Sequence, residues 1–548
     1  MTTRIRRFVS ATALALAALA LAPEPAACTN VLVTKGASED GSSMITYACD
    51  GRFHARLLSR PAADHEPGAV REMRSWSGEL RGTIPQVDHT WAVLGLMNEH
   101  QLAIAETTTT GREELRDPEG LLHYWDLMQL ALERARTARE AIEVMTSLAS
   151  EHGYRSTAES FAIADPEEVW LMEMTGKGPG RKGAIWVAMR VPDGSISAYA
   201  NGIRIRQFPL DEPESCRYAP DVIDFAVERG YWDPEPGRPF DFAEAYDTPT
   251  VQSRRYTATR VWSIFRRAAP SMAAGLDPAY HRGDPGAAPY PLWIEPDAKL
   301  AVADVMSLMR DHYEGTPYDM TVGLDAGPFG TPNRWRPIAW EIDGGSYSWE
   351  RPISTQQTGF SFVSQSRSWL PDAIGGVYWY GVDDTYTTCY VPLYVGIDRL
   401  PHSYTVGALG EFSRESAWWV FNFVANIANL KYSHMAPEIL AVQREIEGHL
   451  LAIQPAVEKT AVELWKADPD LARRYLTDHS VTHAEETVRR WRALGEHLLT
   501  RYNDGYVAEE GRDPEVGYPE AWLREVLRRH ADRFRLDQPE NAETELPY

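Results

Sequence analysis

The chain runs to 548 residues and 61.6 kDa, with 55 basic against 78 acidic residues and a formal net charge of −23. That excess disfavours nucleic acid and anionic membrane as partners, and says nothing about substrate. A 44% hydrophobic and 24% charged composition is ordinary for a globular chain with a sizeable core, held in one large domain or two to three small ones. Four cysteines, Cys28, Cys49, Cys216 and Cys389, match no zinc spacing and are too few for a disulfide scaffold.

Residues 1–27 carry Arg4, Arg6 and Arg7, then an apolar run over 9–21, then small residues and prolines, which is the pattern of a secretory signal. Two cuts fit it. One falls directly before Cys28; the other follows Ala22 and leaves residues 23–27 as a short propeptide removed by self-cleavage. Losing the leader removes its three arginines and Glu24, moving the formal charge from −23 to −25. Lipid anchoring at Cys28 is disfavoured by Pro25, which stands where such signals carry an aliphatic residue. The expectation is a secreted or periplasmic protein. No other apolar run reaches the ~18–20 residues a membrane span needs.

A cut before Cys28 puts a thiol and a free α-amine on one residue. Their reference pKa values, about 8.5 and about 7.7–8.0, let either group hold the other's proton near neutral pH. Nucleophile and base then come together without a histidine. If Cys28 stays free, at most one disulfide forms among the other three cysteines. The β-rich run 29–34, a turn cluster over 36–43 and a second run at 44–48 predict a hairpin that holds the new N-terminus at one end, with Asp50 closing the return strand.

Strand-like patterning continues through 53–115. Residues 124–151 carry Leu127, Leu130, Ala131, Ala135, Ala138, Ile142 and Met145 at helical spacing, predicting one amphipathic helix. Strands are predicted at 160–164, 168–174, 184–189 and 196–201. Residues 208–250 and 268–297, rich in proline, read as long loops. A helix is expected over 301–315, ending at Gly315. Helices follow from 411 to about 502, and then a polar tail.

Several stretches are specific. Cys28-Thr29-Asn30 through Gly41-Ser42 reads C-T-N-x-L-V-x-K-x-A-S-x-D-G-S; residues 97–108 read M-N-E-x-x-L-A-I-x-E-T-T; residues 310–317 read R-D-H-Y-E-G-T-P. Together with the blocks at 351–358, 365–371 and 381–389, they resemble the C69 (formerly U34) dipeptidases among the N-terminal-nucleophile hydrolases. The resemblance runs from Cys28 to roughly residue 470. It implies an α+β fold, the four-layer αββα sandwich, with additional C-terminal helices. The implied organisation is a leader at 1–27, a catalytic domain at 28–410 with loop insertions, and a helical region with a polar tail at 411–548.

By the same resemblance Cys28 is the nucleophile, Asp50 orients its amine, and Asn201 helps to form the oxyanion hole. In acylase relatives an arginine lies near the nucleophile; Arg255 matches it best, with Arg254 and Arg260 as competitors. Another family arginine, three residues before the aspartate, is Tyr47 here, a departure from the acylase type of site. Glu106 and Thr108 are substrate-binding or oxyanion candidates, Thr108 standing where the acylases have an asparagine. Arg351 and Arg367 are candidates to clamp a peptide carboxylate, because a guanidinium binds carboxylate through two hydrogen bonds. Asp311, His312 and Glu314 have metal-binding side chains, but no second cluster completes a site, so no metal or other cofactor is expected. The implied partner is a small peptide substrate, and a homo-oligomer is left open. The alternatives are a non-peptide amidase of the penicillin V or acyl-homoserine-lactone acylase type and, more remotely, a lipid-anchored binding protein.

Overall fold

The computed structural model describes residues 28–509, 511–512 and 514–536; the leader, with both cut sites, and the last twelve residues of the tail lie outside them. The expected hairpin is present. Strands Asn30–Val33 and Ser43–Asp50 pair antiparallel, with Leu32 opposite Ile45 and Val33 opposite Met44. Asp40 ties the turn between them, its Oδ1 accepting from the Ser38 hydroxyl at 2.7 Å and from the Ser42 amide at 3.0 Å.

This hairpin is the middle of a seven-stranded sheet. On one side lie Ile196–Tyr199 and Trp293–Ile294; on the other lie Thr358–Ser366, Val377–Val382 and Val391–Tyr394. A second, eight-stranded sheet runs from Cys216–Tyr218 through Ala184–Arg190, Val169–Gly176, Glu159–Ala164 and Ala103–Thr108 to three short strands. Strand Ala103–Thr108 of the second sheet faces Ser43–Asp50 of the first. Helices Tyr124–Arg134 and Ala138–His152 cover the second sheet; Val251–Ala268, Val302–Leu308, Ala417–Ala428, Tyr432–Ala467 and Pro469–Arg501 cover the first. The result is an α+β sandwich ordered helix, sheet, sheet, helix.

Every central strand is thus covered on both faces, one by the opposite sheet and the other by helices. This is why residues 159–164 and 169–176 are buried without interruption rather than in alternation. The sheet interface is also where the polar side chains of the candidate site are enclosed.

Two helices differ from expectation. The helix expected over 124–151 breaks at Ala135, because the Thr137 side chain caps a new helix by accepting from the Glu140 amide at 3.2 Å. The helix expected to end at Gly315 stops at Leu308. Beyond it Asp311 is buried and accepts from the Ser263 hydroxyl, while Tyr313 takes a left-handed φ of 67°. The expected loops hold short elements, Val222–Glu228 and Phe242–Tyr246 among them, and the tail forms an exposed helix at Glu520–Phe534. Among the described residues no helix is long and apolar enough to cross a membrane. All four cysteines are unbridged.

Asp383, at the end of strand Val377–Val382, joins the first sheet to helix Ala417–Ala428 by accepting from Asn422 Nδ2 at 2.8 Å. Burial raises its carboxyl to about 8 against an ordinary 3.8. Because the folded value lies above the unfolded one, this group's stabilisation is complete below pH ~4 and is lost as pH rises through 8. Asp383→Asn keeps the acceptor and cannot ionise. Thermal unfolding across pH 5–9 is expected to show the variant gaining on wild type as pH rises, by on the order of 3 kcal/mol at the alkaline end.

Candidate active site

Cys28 lies two residues before the start of the first strand and is buried to 0% exposure. Three elements converge on it. Strand Ile196–Tyr199, which pairs with Asn30–Val33, leads into Asn201, whose φ of 63° is a left-handed conformation that asparagine tolerates. Asn201 Oδ1 accepts from the Cys28 backbone nitrogen at 3.1 Å, and Nδ2 donates to the Thr108 carbonyl at 2.6 Å. The side chain therefore ties the start of the first sheet to the end of strand Ala103–Thr108.

Helix Val251–Ala268 brings Arg260, a fully buried guanidinium. Its Nη1 donates to the Cys28 carbonyl at 2.7 Å and to Thr29 Oγ1 at 2.8 Å; its Nη2 donates to the Ala200 carbonyl at 3.2 Å and Asn201 Oδ1 at 2.8 Å. One planar fork thus holds Cys28 and Asn201 in register. Burial, and next the charge of Arg351, lower this guanidinium to about 9.

The third element is strand Ala103–Thr108. Glu106 Oε1 lies 3.9 Å from Cys28 Sγ and accepts from the Tyr47 hydroxyl, which is itself 3.7 Å from the sulfur. Burial raises Glu106 to about 7, an effect its hydrogen bonds from Tyr47 and Glu159 partly offset. Burial and the charge of Glu106 push Glu159 well above the usual range. The Cys28 thiol is also raised, first by burial, then by contact with Cys49 and the charge of Glu106.

Asp50, at the open end of the hairpin where Cys28 also lies, is buried with Arg351 Nη2 at 2.5 Å from Oδ2 and the Thr358 hydroxyl at 2.6 Å from Oδ1. Burial raises its carboxyl, and Arg351 opposes that rise. The R-D-H-Y-E-G-T-P segment braces this pair. The Tyr313 hydroxyl donates to the Arg351 carbonyl, and Asp311 accepts from Ser263, one turn along the helix from Arg260. Asp311, His312 and Glu314 lie together, His312 Nδ1 being 3.1 Å from Glu314 Oε1, yet among the described residues no group of three such side chains has a metal-holding arrangement.

The structure brings together Cys28, Asn201, Thr108, Glu106, Asp50 and Arg351. It does not bring Arg255 or Arg367. Arg255 points to Glu350 at 3.5 Å, and Arg260 occupies the place against Cys28. Arg367 is buried against Glu458 at 2.8 Å and the carbonyls of Ile374 and Gly375, where it fastens the first sheet to helix Tyr432–Ala467. Arg255→Ala is accordingly expected to leave turnover within about threefold of wild type, a surface-type effect measurable by steady-state kinetics. Sequence reasoning noted Tyr47 only as a departure from the acylase type of site, and gave Cys49 and Glu159 no place in the site. For Tyr47 a signal was available: Ile45, Tyr47 and Cys49 alternate on one strand face, the face that carries Cys28.

A cavity of ≈ 290 Å³ opens beside these residues, lined by Thr108, Asn201, Tyr256, Arg260, Arg336 and Arg351 among others. A buried thiol, a hydrogen-bonded backbone nitrogen on the same residue and an adjoining cavity belong to an enzyme site. The comparisons define its class: the chain is a peptidase, which sets aside a binding protein. The profile of Peptidase family C69 matches residues 27–445, and the chain belongs to that family. A probable dipeptidase of Salmonella dublin is 27% identical over 405 residues, covering 70% of this chain and 84% of the relative. A probable dipeptidase of Latilactobacillus sakei is 23% identical over 505 residues, 88% of this chain and 93% of its own length. Dipeptidase A of Lactobacillus helveticus is 22% identical over 430 residues, 74% and 82% respectively.

Proposed function

We propose that this chain is an exported cysteine dipeptidase of the N-terminal-nucleophile type, matured by loss of residues 1–27. The observation that supports this best is the seat of Cys28, whose nitrogen rests on Asn201 and whose carbonyl rests on Arg260. Once the peptide bond before Cys28 is cut, that nitrogen becomes an amine fixed beside its own sulfur. The amine takes the thiol proton, and the thiolate attacks the scissile carbonyl carbon. Neutral donors at Asn201 and the neighbouring backbone hold the oxyanion, the type of contact whose loss costs about 2.7–4 kcal/mol. Collapse of the tetrahedral species expels the C-terminal amino acid, whose amine takes the proton back from the Cys28 ammonium. Water, deprotonated by the same amine, then hydrolyses the thioester.

The high proton affinity of the buried thiol supports the need for a base that close. The relatives' dipeptidase names support the substrate class. The test is turnover of Ala- and Leu-containing dipeptides against N-acylated amides by the mature protein. Dipeptide turnover with little acyl-amide cleavage is expected; the reverse preference would overturn the reading.

A further inference from the structure

We infer that Cys49 reversibly closes the enzyme by forming a disulfide with Cys28, an inference that rests on Cys28 being the nucleophile. The strand register carries it. In the hairpin Leu32 stands opposite Ile45 and Val33 opposite Met44. Toward the open end Thr29 stands opposite Ala48 in the same register, and the two exchange both backbone hydrogen bonds, at 3.4 and 3.1 Å. One step outward, that register sets Cys28 opposite Cys49. Hydrogen-bonded and non-hydrogen-bonded pairs alternate along an antiparallel ladder, so the pair next to Thr29 and Ala48 is of the non-hydrogen-bonded kind.

Opposed residues of an antiparallel pair project to one face of the sheet. Here that face is turned to the second sheet. Tyr47, two residues before Cys49 on the same strand, reaches Glu106 of strand Ala103–Thr108 and holds its hydroxyl 3.7 Å from Cys28 Sγ. In a non-hydrogen-bonded pair the Cα atoms lie ~4.5 Å apart, the closer of the two spacings. Disulfides span about 4.4–6.8 Å between Cα atoms, so the register puts the bond within reach without moving either strand. A place at the short end of that span, below the commonest separation of about 5.5–6 Å, suits a bond that is easily reduced again. The other two cysteines hold no such position. Cys216 stands opposite Met189 in the second sheet, and Cys389 lies past the end of strand Val377–Val382.

The oxidant is a small disulfide such as oxidised glutathione, the class of molecule with which thiols of an oxidising compartment exchange. Cys49, the less buried of the pair, reacts first: its thiolate attacks one sulfur of the small disulfide and expels one glutathione thiolate. The Cys28 thiolate, its proton taken by its own amine, then attacks Cys49 Sγ and expels the second. Two protein thiols are oxidised to one disulfide, the small disulfide is reduced to two thiols, and those take up the two protons. The nucleophilic sulfur is then tied to the return strand of the hairpin, and no thiolate is left to attack a substrate until a reductant restores it.

The mature protein is incubated with oxidised glutathione and followed by peptide mass and by dipeptide turnover. Cross-linking of Cys28 to Cys49 is expected, with turnover lost in step with it and regained with dithiothreitol. Cys28→Ala should trap glutathione on Cys49. Cys49→Ser and Cys49→Ala should form no such cross-link, and each should keep its own starting turnover under the same treatment. Cysteines still reduced in the wild type, or a lasting glutathione adduct without the cross-link, would overturn the switch and leave Cys28 standing as nucleophile. A complete cross-link with turnover intact would overturn both.

Discussion

Cys28→Ala is expected to lower dipeptide turnover by at least about 10³-fold, the scale seen when a covalent nucleophile is removed. Unfolding free energy should stay within about 1 kcal/mol of wild type, because only a sulfur is deleted from a site already braced by Asn201 and Arg260. Cys28→Ser keeps the amine and supplies a poorer nucleophile, so it should fall between the two. Steady-state kinetics beside thermal unfolding separates this outcome from misfolding. A Cys28→Ala protein with undiminished turnover would remove the nucleophile from the account.

Arg260→Met is expected to combine a stability loss with an activity loss. Its guanidinium serves five acceptors, and the substitution leaves the carbonyls of Cys28 and Ala200 with buried, unmet hydrogen-bonding capacity at about 1–3 kcal/mol each. A total of about 3 kcal/mol or more should appear in denaturant unfolding. Where the protein still folds, kcat should drop by about 10²-fold, because Cys28 and Asn201 lose the fork that holds them in register. Arg260→Lys should recover little, since an ammonium cannot span the same acceptors. The contrast with Arg255→Ala, five positions earlier on the same helix, makes the pair of variants a test of which arginine serves the site.

The parts of the site that lie within one hairpin were readable from the sequence. The turn-rich residues 36–43 separate two β-rich runs, which places Cys28 and Asp50 without any tertiary knowledge. Asn201 was legible for a similar reason, as a polar residue closing a strand before Gly202. Arg260 was harder. Three arginines, Arg254, Arg255 and Arg260, compete for one place; which of them faces the sheet depends on helix phase, and Arg260 falls within the buried stretch 258–265 whereas Arg255 does not. Arg351 and Arg367 both look like carboxylate clamps in a chain of letters. Only packing shows that Asp50 and Glu458 take them.

Tyr47 meets Glu106 because one sheet lies on the other, a long-range fact that local patterning does not encode. The same holds for the R-D-H-Y-E-G-T-P segment. Its role is to brace Arg351 and helix Val251–Ala268, through contacts to residues distant in sequence. The departure of Tyr47 from the family arginine also has a physical sense here. A phenol can hydrogen-bond Glu106 beside the sulfur without adding a cation to a site already holding Arg260 and Arg351.

Everything proposed for the chemistry depends on a thiol and an unblocked amine sharing one residue. Intact-mass and N-terminal peptide analysis of the exported, active protein measures that directly. The account predicts a chain that begins at Cys28 with an unmodified α-amine. A fully active chain that still carries Ala27, or one whose Cys28 nitrogen is acylated, would contradict it.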